Sequence, residues 1–161
     1  SRKRCSGLPK CTATRGTAGG NGVLVEPNEK CQVTIPSGFA IDPSDAGSAR
    51  SADDQAFLNL ASTPTAPLGF METATQNLDL FANLIADYKE IYRQPGTAQG
   101  RAFVDTVFTA TIEGEPISGR FYFTEEGPTI CLLSFVAKAA VASSYDDTVA
   151  ALIASMQAIK P

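Results

Sequence analysis

Histidine is absent from all 161 residues, and this sets the first limit on the chemistry open to the chain. Ser-His-Asp and Cys-His mechanisms need an imidazole to carry the proton at neutral pH, so both are excluded. Carboxylates and four cysteines remain. Glu125-Glu126 and Asp146-Asp147 are adjacent acids of the kind used for proton transfer or calcium binding. One pair falls where a turn is expected and the other where a helix should begin, so both read as solvated turn or capping residues. The stretch "TAGGNGV" is glycine-rich, but it lacks the Lys-Ser/Thr of a phosphate loop and no long helix follows, so it reads as a linker. No catalytic residue, metal site or cofactor is therefore expected.

The cysteines, Cys5, Cys11, Cys31 and Cys131, form an even set without the C-x-x-C pairs of a zinc ribbon. Disulfides, a structural zinc and free thiols are the alternatives, and disulfides would place the protein outside the cytoplasm. Four cysteines allow three full pairings. Cys5 with Cys11 is favoured because the intervening residues, Gly7 and Pro9 among them, can form a tight loop. Cys31 with Cys131 would then tie the first strand of the body to a central one.

Charge is unevenly distributed. Residues 1–30 hold six cations (Arg2, Lys3, Arg4, Lys10, Arg15 and Lys30) against two acids, whereas the remainder holds seven cations against fifteen acids. A body this acidic argues against nucleic-acid binding, which depends on phosphate neutralisation. Arg2, Lys3 and Arg4 suit a place beside anionic lipid headgroups. No run of the sequence approaches the roughly 18 apolar residues needed to cross a bilayer.

The elements that would position these groups follow from periodicity. Residues 1–30 read as a basic, cysteine- and glycine-containing extended arm, dispensable for folding, and residues 31–161 as one α+β domain. "CQVTIPSGF" alternates as a strand up to Pro36 and turns at Ser37-Gly38. A polar loop follows from Asp42 to Asp54. "AFLNLAS" and "PLGFMET" suggest two short strands. Leu78, Phe81, Leu84, Ile85, Tyr88, Ile91 and Tyr92 recur at three- and four-residue spacing, which predicts a helix over about 77–93, ended by Pro95-Gly96.

Three strands then form a meander from "RAFVDTVFTATIEG" through "PISGRFYFTEEG" to "PTICLLSFVAK", with a turn at Gly114-Glu115 and another at Gly127. A closing helix starts at a capping box of Ser144 and Asp147, with Val149, Leu152, Ile153, Met156 and Ile159 on its apolar face. An antiparallel sheet with one apolar face needs helices to cover it, and these two carry the stripes to do so.

The "VTIPSGF" strand and turn, the helix after the early strands, the long meander and the closing "YDDTVAALIASMQAI" resemble the PsbP-like fold. That fold is shared by photosystem II extrinsic proteins, Ran-binding Mog proteins and DcrB-type bacterial periplasmic lipoproteins. A tryptophan is common after the P-x-G turn there, and Phe39 takes its place here. The resemblance covers roughly residues 32–159. It implies an antiparallel sheet layered between helices, α/β/α, in a non-enzymatic module that binds protein partners or assists a membrane complex, often outside the cytoplasm.

Along the first meander strand, Val104, Phe108 and Ile112 fall on the side suited to the helix-covered core. Phe103, Asp105, Val107, Thr109 and Thr111 fall on the other. Phe103 and Val107, with Arg120 and Tyr122 on the neighbouring strand, are the candidate partner contacts, together with the loop from Asp42 to Asp54. Tyr88, Tyr92 and Tyr122 fit the edge of a core, with the hydroxyl reaching out. The function expected is an extracytoplasmic protein-interaction module. The alternatives are a carrier of a small ligand or metal ion, and an enzyme built on carboxylates alone.

Overall fold

The computed structural model describes residues 22–160, so Cys5, Cys11, Arg2, Lys3 and Arg4, with the pairing and membrane contact expected of them, lie outside the described residues. Among the described residues, ten strands and two α-helices follow in the order β1 (Val23–Val25), β2 (Cys31–Thr34), β3 (Phe39–Ile41), β4 (Ser48–Ser51), β5 (Ala56–Pro64), α1 (Phe70–Leu84), β6 (Lys89–Ala98), β7 (Arg101–Ile112), β8 (Glu115–Glu126), β9 (Thr129–Lys138), a 3-10 segment (Ala139–Tyr145), α2 (Asp146–Ser155) and β10 (Gln157–Ala158).

Seven strands form one antiparallel sheet in the order β3-β4-β5-β9-β8-β7-β6, and β1, β2 and β10 form a second sheet with β2 in its middle. The expected meander is its long half. The β7–β8 hairpin turns through Glu113 and Gly114, one residue earlier than predicted. Both adopt positive φ, as a two-residue turn between right-twisted strands requires.

Each face of the large sheet has its own core. On one, Phe70, Ala74 and Leu78 of α1 pack on Val104, Phe108, Phe121, Phe123 and Ile130. On the other, the small sheet and α2 bring Leu24, Val33, Val149, Leu152 and Met156 against Leu58, Leu60, Leu133 and Phe135. Burying apolar area at about 25 cal/mol per Å² makes these two faces the main stabilising term. A disulfide between Cys31 and Cys131, with Cα atoms 5.9 Å apart, joins the middle strand of the small sheet to the middle strand of the large one. The favoured pairing of these two cysteines is thus present, and both are fully buried.

Several expected boundaries move. The helix runs over Phe70–Leu84 instead of 77–93, because its buried stripe begins at Phe70 and continues through Thr73, Ala74 and Leu78. Leu84 is already 72% exposed, and at Ile85 the backbone turns extended. Tyr88, Ile91 and Tyr92 therefore belong to the strand side of that junction. Ile91 is the extra residue of a β-bulge, which shifts the β6–β7 register between Glu90 and Tyr92 and lets side chains on a strand imitate helical spacing.

Pro95-Gly96 lies inside β6. This is the edge strand, where a residue without an N–H is tolerated. "PLGFMET" is the start of α1 and not a strand, and the polar loop contains β4. The capping box does not form. Ser144 Oγ donates to the carbonyl of Val141 at 2.6 Å, and α2 starts at Asp146 with both aspartates in its first turn.

The boundary at residue 30 also moves. β1 pairs with β2, Leu24 is in the core, and Glu26 is 1% exposed. The Glu26 carboxylate accepts the backbone N–H groups of Asn28, Lys30 and Cys31 and so closes the β1–β2 turn beside the disulfide. A three-residue strand after a glycine-rich run leaves no periodicity to read.

Candidate functional site

The small sheet and α2 cover only part of their face of the large sheet. Beyond β9, the strands β8, β7 and β6 present outward the residues opposite in parity to the α1 core. Register places Val107 directly across from Arg120, Asp105 across from Tyr122, Tyr92 across from Val107, and Gly96 across from Phe103. The four candidate contact residues Phe103, Val107, Arg120 and Tyr122 are therefore brought together on one surface. The loop from Asp42 to Asp54 is not part of it, since β3 and β4 form the opposite edge of the sheet. There Asp42 holds Arg50 at 3.1 Å, and hydrogen bonds from Ser44 and then Arg50 keep its carboxyl below the usual range.

At the centre of the surface Asp105 is only 9% exposed, although no helix or strand among the described residues is packed over it. Side chains provide the cover. Arg120 donates Nε–H to Oδ1 at 2.8 Å and Nη2–H to Oδ2 at 2.7 Å, and the Tyr92 hydroxyl donates to Oδ2 at 3.4 Å. Two parallel N–H···O bonds from a planar guanidinium are the strong geometry for such a pair. The hydrogen bond to Asp105 pushes the Arg120 pKa up. Burial first, and then the Asp105 charge, pushes up the phenols of Tyr92 and Tyr122, so both stay protonated well above neutrality.

Phe103 stacks on Tyr122, with centroids 5.5 Å apart and planes 11° from parallel, and its ring lies across Gly96, where a Cβ would meet Cζ at 2.6 Å. Tyr92 stands 41% exposed at the rim. Alternation places Asp105 on this face with Phe103 and Val107, but gives no sign of its pairing with Arg120 or of Tyr92 as part of the cluster. The Asp105 carboxylate is recruited by a neighbour fifteen residues away in sequence, and Tyr92 reaches it from β6, although its spacing is that of a helix.

Where the surface meets the 3-10 segment and α2, it becomes a groove of 440 Å³. Its floor and walls include Val107, Phe135 and Val149, with Arg120 on the sheet side and Asp146 on the α2 side. The paired acids do not converge. Glu126 forms an ion pair with Arg101, and Asp146 and Asp147 sit in the first turn of α2. Among the described residues, no three His, Cys, Asp or Glu side chains are grouped as metal ligands would be.

No family model and no curated protein sequence matches the chain. Solved structures do. Cyanobacterial PsbP, CyanoP, from Synechocystis superposes with a TM-score of 0.62 at 6% identity, over 86% of this chain and 92% of that one. This is the PsbP-like fold. A Pseudomonas aeruginosa protein of unknown function matches over 89% of this chain and 98% of that one, at TM-score 0.56 and 14% identity. LpqN of Mycobacterium tuberculosis, described as involved in cell envelope biogenesis, matches over 89% of this chain and 81% of its own, at TM-score 0.50 and 9% identity. At such identities what is shared is the PsbP-like fold, and function has to be argued from the surface this chain builds on it.

Proposed function

We propose that the chain is a non-catalytic interaction module working outside the cytoplasm, with the uncovered half-sheet as its contact face. The observation that carries this reading is the cluster of Tyr92, Phe103, Val107, Arg120 and Tyr122 on the part of the sheet that neither α2 nor the small sheet covers. Aromatic and arginine side chains dominate binding energy at protein interfaces, and an aromatic surface with its charges already paired loses little on desolvation. The buried disulfide supports the location, because such bonds persist in oxidising compartments. The description of LpqN as an envelope protein is in keeping with it. The basic residues Arg2, Lys3 and Arg4 extend the reading to a place close to a membrane.

Crosslinking in the native envelope tests the contact face. Tyr92→Ala removes an exposed rim side chain, and Phe103→Ser removes one ring of the stack. Both variants should keep a cooperative unfolding transition and lose a crosslinked partner that the unchanged protein retains. An identical crosslinking pattern in both folded variants would rule this face out. Arg120→Glu is a poor probe, since it would set two carboxylates against each other in a half-buried site.

A further inference from the structure

An edge strand carries a row of unpaired backbone N–H and C=O groups on which another chain can add a strand. Among the described residues, four strands stand at sheet edges: β1, β10, β3 and β6. The first three are three, two and three residues long, whereas β6 has ten. Of the four, only β6 is long enough to template a second strand, and most of its residues are exposed.

Register shows which of its backbone groups face outward. The β6–β7 connection is the two-residue turn Gln99-Gly100, with both residues at positive φ, so Ala98 and Arg101 form the hydrogen-bonded pair that closes it. Pairs alternate from there along an antiparallel ladder. Gly96 with Phe103, Gln94 with Asp105 and Tyr92 with Val107 are hydrogen-bonded pairs, and Thr97, Pro95 and Arg93 turn their backbone groups to the open side. The bulge at Ile91 ends the regular run, which therefore covers residues 92–98, and Pro95 is its middle residue.

A second copy adding antiparallel over the whole run would set Pro95 opposite itself, with Arg93 opposite Thr97 on either side. The central pair would then lack both of its N–H···O bonds, and each pyrrolidine ring would stand where the facing carbonyl needs a donor. Sliding the two copies by two residues shortens the ladder and still leaves Pro95 within it. We infer that Pro95 closes this edge against pairing with a second copy of the chain, although the length and exposure of β6 suit it to such pairing. The inference concerns backbone groups at the sheet edge and does not rest on the contact-face reading, which concerns side chains.

Sedimentation and amide hydrogen exchange on the full chain test this with Pro95→Thr and Pro95→Ala, both of which restore the donor at an exposed position. In the unchanged protein at about 100 µM the Arg93 and Thr97 amides should exchange freely. Each variant should dimerise at least about tenfold more tightly than the parent and protect both amides, as two regained hydrogen bonds predict. Adding Thr97→Pro, which removes another outward donor, should reverse the gain. A cooperative melting transition shows that each variant is folded. The inference is overturned if the folded Pro95 variants associate no better than the parent, if their dimer leaves the Arg93 and Thr97 amides unprotected, if Thr97→Pro leaves that dimer intact, or if the unchanged protein already protects both amides.

Discussion

Asp105 and Arg120 carry the most consequential polar contact on the uncovered face. Each is placed by one strand, and the two come together through the β7–β8 register. With Asp105 9% exposed, removing its partner would strand a carboxylate among aromatic rings. Arg120→Met should therefore lower the unfolding free energy by about 3 kcal/mol, and the double variant Arg120→Met/Asp105→Leu should recover most of that loss. Urea denaturation of the two single variants and the double variant gives the coupling directly; an additive double variant would show that the pair contributes little.

The tyrosines give a pH signature at the same scale. Burial is the leading cause that raises the Tyr88, Tyr92 and Tyr122 phenols, and Glu90 adds to the effect at Tyr88. A folded-state pKa above the unfolded value stabilises the protein fully below the unfolded value of about 10 and loses that contribution as pH rises through the folded value. Thermal melts should hold steady towards pH 10 and then fall steeply. In a Tyr145→Phe background, which leaves only these three phenols to report, phenolate absorbance should rise together with unfolding rather than before it.

At the scale of the elements, α1 is held by a column of rings. Phe81 packs tilted against Phe121 at 4.6 Å, while Phe121 stacks on Phe108 at 4.7 Å and Phe108 on Tyr88 at 5.0 Å. The column requires Gly119, because a Cβ there would fall within the Phe108 ring. Gly119→Ala should cost about 1–3 kcal/mol through overpacking, even though alanine suits a strand no worse than glycine. Pairing it with Phe108→Leu, which vacates part of the space, should reduce the combined loss below the sum of the two single losses when measured by chemical denaturation. The same column explains why the sequence periodicity ran on past the helix. Tyr88 does pack with Phe81 and Phe108 beneath α1, but it reaches that core from the approach to β6 and not from the helix.

Over the whole molecule, the disulfide and β1 secure the small sheet to the large one. Closing a loop of about 100 residues is worth nearly 4.7 kcal/mol in the chain-entropy model. Cys31→Ala/Cys131→Ala should therefore lose several kcal/mol on unfolding in denaturant, and reducing agent should have little further effect on that variant's transition. A chain starting at Glu29 lacks Leu24 and the Glu26 carboxylate that closes the β1–β2 turn. Burial of a leucine alone is worth about 1.5–3 kcal/mol. Such a chain should melt about 5 °C or more below the full-length protein; an equal melting temperature would show that β1 contributes nothing to the cooperative unit.

The sequence by itself determined the features that depend on local pattern or on simple exclusion. Alternation in β7 and β8 assigned Val104 and Phe108 to one face and Phe103, Val107, Arg120 and Tyr122 to the other, because a strand's period of two needs no distant information. The closing helix could be read from Val149, Leu152 and its leading aspartates. The pairing of Cys31 with Cys131 was one of three the sequence left open and the one it favoured, and the structure contains it. Tertiary structure alone decided the rest. The three-residue β1 and two-residue β10 exist only because β2 pairs with both of them. Helix α1 ends at Leu84 because the chain must turn there to reach the sheet edge, although the apolar spacing continues. Tyr92, Gly96 and Asp146 joined the candidate site through register and through the packing of α2 beside the half-sheet, and only there is Asp105 paired with Arg120. Such contacts are non-local, and no window of sequence contains both partners.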